Sequence, residues 1–154
     1  MKYENNCIYV IFLILATTIL VLVSQDPLYA QNESARTVAE NSDPLVYHLS
    51  SDDPWRASVS LSDAINLKSL GHNVTLMLSI EGVQVGVNNP HNFLALGNVI
   101  NNVTDFIDMG GKVVVCEICL EIAGYEKDDL IEGAILGTPE VFSKILTNAT
   151  VVDY

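Results

Sequence analysis

The chain has 154 residues and is acidic, with nineteen Asp plus Glu against seven Lys plus Arg and a formal charge of −12. Phosphate contacts need concentrated positive charge, and the sequence holds no Lys/Arg cluster, which argues against nucleic acid as a partner. Its three cysteines are too few for the disulfide framework of a small secreted fold. The length beyond residue 30 suffices for one domain with a real core.

Residues 1–30 do not read as globular domain. Cys7 to Val23 is an unbroken apolar or small run behind a short head carrying Lys2, and Leu28-Tyr29-Ala30 offers a small residue for cleavage. The pattern is that of a secretory signal peptide. The rival is an uncleaved membrane anchor through residues 7–23, a run only slightly short of a full span. Cys7 stands at the head of the apolar run instead of following it, which excludes a lipoprotein. Either way the domain is expected to be extracytoplasmic: secreted, periplasmic-type, or anchored at the outer face of a membrane. Sequons at Asn32, Asn73, Asn102 and Asn148 suit an exported chain, although an Asn-rich sequence also produces such triplets by chance.

Residues 31–43 are polar and aperiodic and read as a flexible linker to a domain over 44–154. Leu45 to Leu49 is the first expected strand. Asp53 is a good N-cap and Pro54 a good first residue for a helix to about Leu70, with Ala57, Leu61, Ala64, Ile65 and Lys68 on one face. Val74 to Ile80 is the second strand, followed by a turn at Glu81-Gly82-Val83; residues 84–89 give no clear signal. A second helix runs roughly from Asn92 to Met109, with an apolar stripe of Phe93, Leu96, Ile100, Val103 and Ile107. The β-branched run Val113-Val114-Val115 makes Lys112 to Val115 a strand buried on both faces. A short helix, Cys119 to Ala123, follows and ends at Gly124. A brief strand at Ala134 to Leu136, a last helix capped by Thr138 and started by Pro139, and a final strand Thr150 to Asp153 complete the series. This alternation predicts an α/β domain: a three-layer, open, mostly parallel sheet of about five strands with helices on both faces.

Cys116 and Cys119 carry the chemistry. Cys116 falls where a strand ends and a helix begins, so its sulfur would meet the unpaired N–H groups of a first helical turn, which favours thiolate over thiol. Glu117 and Glu121 oppose that, since nearby negative charge raises a thiol's pKa. The bland alternative is a small buried hydrophobe. Cys119, three residues on, is within bridging distance of Cys116; it either resolves Cys116 into an intramolecular disulfide or packs on the helix face. A Cys-x-x-Cys at a strand-to-helix junction is also found in thioredoxins, but here it follows the third strand, and Pro139 reads as a helix starter. His48 stands near the C-terminal end of the first strand, the sheet edge shared with Cys116 where ligands usually bind. There it would tune or ligate, or be plain hydrogen-bonded structure. Two thiolates suit a soft metal, though a closed zinc site needs about four ligands. His72 and His91 lie in loops and receive no role. No serine–histidine–acid pattern, nucleotide loop or carboxylate pair stands out.

Three stretches together resemble the DsrE/DsrF-like (YchN-type) sulfur-relay family: VYHLSSDDPWRA from Val46, GHNVTLMLSIEGV from Gly71, and GGKVVVCEICLEIAGYEKDDLIEGAILGTPE from Gly110. The resemblance covers nearly all of Leu45 to Tyr154. It implies a small three-layer α/β fold, usually a homotrimer or homohexamer. It also implies a cysteine after the third strand that carries sulfur as a persulfide and exchanges it with donor and acceptor thiols, without a cofactor. Cys116, eight residues before Gly124, aligns with that cysteine, and Cys119 with a second one found in some members. Ala123 stands where many members have Arg, and the expected export departs from the family's cytoplasmic relays. Three readings follow: a persulfide carrier on Cys116, a thiol-redox module cycling a Cys116–Cys119 disulfide, and a non-catalytic oligomer holding a soft metal.

Overall fold

A computed structural model describes residues 42–91 and 93–154 of the chain. The expected export segment, residues 1–30, and the linker apart from Ser42 and Asp43 lie outside the described residues. Five strands form one sheet: β1 (Leu45–Leu49), β2 (Val74–Leu78), β3 (Lys112–Cys116), β4 (Ile135–Gly137) and β5 (Thr150–Asp153). Their order is β4-β3-β2-β1-β5, and every pairing is parallel. Four helices connect them: α1 (Pro54–Ser69), α2 (Phe93–Asp108), α3 (Glu117–Ile122) and α4 (Pro139–Leu146). Among the described residues no helix is long and apolar enough to cross a membrane.

Local chemistry sets most boundaries. Asp53 accepts the Arg56 N–H at 2.9 Å and starts α1 at Pro54. The Thr138 hydroxyl accepts the Val141 N–H and Pro139 opens α4 in the same way. The three valines of β3 are fully buried, as a strand covered on both faces requires.

Register divides the sheet into two faces. Tyr47, Leu49, Leu76, Leu78, Val113 and Val115 share one face and form the main core with residues of α1 and α2. On α1 these are Ala57, Leu61 and Ala64, as the stripe predicts; on α2 they are Leu96, Val99, Ile100, Val103 and Phe106. Phe106 escaped the sequence stripe, whereas Ile107, placed on it, is only partly buried. Val46, Thr75 and Val114 lie on the opposite face. The β4-to-β5 crossover runs back across the whole sheet, so right-handed connection puts α4 on that second face. There Phe142 packs over Gly137, whose hypothetical Cβ would lie 2.6 Å from the ring.

The second strand departs from expectation. β2 stops at Leu78, and Ile80 takes φ +53. That left-handed turn throws the chain out of the sheet into a 3-10 helix over Ile80–Gly86, which replaces the turn expected at Glu81-Gly82-Val83 and runs into the first residues of the stretch 84–89 that carries no clear signal. The 125–133 loop is zipped onto the end of this segment. Val87 bridges Leu130, Ile131 N–H donates to the Gly86 carbonyl at 3.0 Å, and the Asn88 amide donates to the Asp129 and Leu130 carbonyls.

Candidate functional site at the carboxyl edge of the sheet

β3 delivers Cys116 to the edge, and the chain turns there directly into α3. Cys116 is itself the N-cap: its Sγ accepts the Cys119 N–H at 3.3 Å. The helix therefore starts at Glu117, two residues earlier than expected, because the sulfur takes the place of the usual capping oxygen. Cys116 and Cys119 are joined as a disulfide with Cα atoms 5.2 Å apart, a separation well within the usual range for such a bond. Both residues are half-buried, packed against the core and reachable from solvent. Leu120, 2% exposed, roots the helix in the core. Glu117 and Glu121 line one cleft of about 520 Å³ with Glu126 and Lys127.

The other flank of α3 opens on a second cleft, of about 490 Å³, and it is Cys119 that lines this one. Ile80, Ile122 and Ala123 supply apolar wall; Glu81, Gln84 and His91 supply polar groups. His91 had no role on sequence grounds. Its ring stacks on Tyr125 with centroids 4.7 Å apart, and its backbone N–H is shared between the Tyr125 hydroxyl and the Gln84 side-chain oxygen, at 2.8 and 2.9 Å. The Gln84 amide in turn donates to Asp52 at 3.2 Å. Asp52, next to the Asp53 cap, is thus tied to the cleft through Gln84. Nothing in the sequence pairs residues so far apart.

His48 lies where the first strand was expected to place it, and both ring nitrogens are engaged. Asp153 of β5 meets Nδ1 at 2.6 Å, and Ser79, just past β2, meets Nε2 at 2.6 Å. A serine–histidine–acid grouping, which does not stand out in the sequence, is assembled here. These residues stand far apart in the chain, and parallel pairing of β1 with β2 and β5 brings them together. Backbone bonds close the same corner: Tyr154 N–H donates to the His48 carbonyl at 2.9 Å, and Ser50 N–H to the Tyr154 carbonyl at 3.3 Å. Tyr154 stacks on Tyr47 and donates its hydroxyl to Asp63. That hydrogen bond, with lesser help from burial, pushes the phenol up to about 12. Among the described residues no group of three or more His, Cys, Asp and Glu side chains is assembled for a metal ion.

A scan against family models matches the DsrE/DsrF-like family over residues 45–153. Among solved structures the chain is similar to a protein of unknown function, MTH1491, from Methanobacterium thermoautotrophicum. That likeness has 19% identity and a TM-score of 0.59, and it covers 73% of this chain and all of the other. The chain is likewise similar to the YchN protein of E. coli, with 18% identity, TM-score 0.57, and 73% and 99% of the two chains covered. Among curated proteins nothing matches.

Proposed function

The chain belongs to the DsrE/DsrF-like family, and on that premise we propose that it is an exported sulfur-handling protein that carries persulfide sulfur on Cys116 for thiol-to-thiol transfer. The observation that carries this reading is the position of Cys116: the last residue of a parallel strand, capping a helix with its own sulfur, half-buried at the edge where α/β folds bind ligands. A thiolate there accepts sulfur by attacking the outer sulfur of a donor persulfide; the donor thiolate leaves, and Cys116 holds the terminal sulfur until an acceptor thiol removes it. Hydrosulfide loads the disulfide form without a further reductant. It attacks Cys116 Sγ, the bond to Cys119 breaks, Cys119 leaves as thiolate, and Cys116 is left as persulfide. Homo-oligomeric assembly, a trimer or hexamer, belongs to the same proposal, as do donor and acceptor thiols in an extracytoplasmic compartment.

The test is intact mass. Reduced protein incubated with a persulfide donor should gain one sulfur. Cys116→Ser should lose that gain, and Cys119→Ser should keep it. A wild type that takes up no sulfur, in reduced or disulfide form, overturns the reading.

The disulfide between Cys116 and Cys119 favours a second reading, a thiol-redox module cycling that bond. Thiol counting across a graded glutathione buffer should then show one two-electron transition. A pair that stays fully oxidised or fully reduced across the series rejects it.

A further inference from the structure

We propose that Ser79 is a second reactive centre, a nucleophile activated by His48 and Asp153, and that it takes activated acyl groups such as carboxylic esters. The arrangement uses none of the sulfur chemistry and stands or falls apart from it. A carboxylate only accepts hydrogen bonds, so the 2.6 Å contact from Asp153 to Nδ1 puts the ring proton there. In the neutral ring Nε2 is then left as acceptor, and the Ser79 hydroxyl at 2.6 Å donates to it. That orientation is the one a histidine needs to act as general base on a serine. Acid and base come from β5 and β1 and the hydroxyl from the residue just past β2, at the edge where parallel sheets bind ligands.

Two further features separate this from plain structural bonding. Ser79 is half-buried and so within reach of solvent, and the left-handed turn at Ile80 leads the chain away immediately behind it. Such strain gathers at functional positions. The corner also holds without these side chains. β5 pairs with β1 along its length, and the Tyr154 N–H is bonded to the His48 carbonyl.

The step is acyl transfer. Ser79 Oγ attacks the carbonyl carbon of the ester while its proton passes to His48 Nε2, and Asp153 holds the resulting imidazolium. The carbonyl–oxygen bond to the alcohol breaks, and the alcohol leaves with the proton from Nε2. Water then attacks the acyl-serine, gives a proton to His48, and releases the carboxylic acid with the Ser79 hydroxyl restored. No electron is gained or lost.

A fluorophosphonate probe is applied to the full chain with its disulfide intact, and the adduct is located by peptide mapping. The adduct is expected on Ser79. His48→Ala should slow labelling by ~10²-fold, and added imidazole should restore part of the rate, which a merely structural histidine would not allow. Asp153→Asn should slow it by a smaller factor. Absence of a Ser79 adduct in the wild type overturns the proposal, as does a labelling rate indifferent to His48→Ala. The wild-type mapping decides the matter even where a variant fails to fold.

Discussion

The two groupings at the carboxyl edge are held in opposite ways. The sulfurs sit three residues apart, one capping a six-residue helix and the other within it, and Gly124, just past its end at φ +82, has nothing within 4 Å of where a Cβ would stand. The His48 corner draws on three strands, and the segment leaving Ser79 is wedged tight: a Cβ on Gly82 would lie 2.2 Å from the Leu49 carbonyl oxygen. A site written in neighbouring residues needs only one helix rooted by Leu120, because its geometry is carried by the local chain. A site assembled from distant strands needs every strand in register, so its surroundings are jammed where the cysteine helix is open.

Substitutions can break that contrast, beginning with the strongest. Gly82→Ala should cost about 3 kcal/mol, since the clash is with backbone and cannot be relieved by a rotamer change. Urea unfolding monitored by circular dichroism would register it, and a loss under 1 kcal/mol would contradict the wedge. Reducing the disulfide should cost about 2 kcal/mol, the chain-entropy value for so short a loop. Cys119→Ser compared with oxidised wild type gives the same reading. Gly124→Ala should cost only about 1 kcal/mol, the penalty of a left-handed alanine in open space. Equal losses at Gly82 and Gly124 would erase the distinction between the two regions.

The smallest effect concerns pH. The folded phenol of Tyr154 is raised above the unfolded value of about 10, to about 12, with the Asp63 hydrogen bond as first cause. The neutral form is the one the fold favours. Its contribution is therefore complete below pH 10 and lost as pH climbs from about 10 to about 12. Tyr154→Phe should flatten the stability profile across that window, and thermal melts at stepped alkaline pH would reveal it. A wild type and variant with parallel profiles would count against the bond.

How much of this was legible in the residues follows the same divide. The strands at Leu45 and Thr150 and the caps at Asp53 and Thr138 match expectation, because capping chemistry and β-branched runs are local. The closeness of Cys116 and Cys119 is legible for the same reason: a spacing of three is visible in the string. The early stop of β2 was not. Val74 to Ile80 is apolar throughout save Thr75 and Ser79, and nothing in it announces that Ile80, β-branched and ill-suited to φ +53, leaves the sheet. The pattern therefore makes Ser79 one more strand residue. Asp153 was read as the end of a strand, and its partnership with His48 depends on which strand lies beside β1, a fact of topology. His91 and Gln84 became neighbours only through the packing of Tyr125.

The adjacency of β1 and β5 also imposes a sequence of events during synthesis. Domains fold as units as the polypeptide emerges amino end first, and the first strand of this domain keeps an open flank until residues 150–153 arrive. A translation intermediate that already displays His48 and Ser79 still lacks the carboxylate that orients the ring, so the relay stays unassembled until the domain is finished.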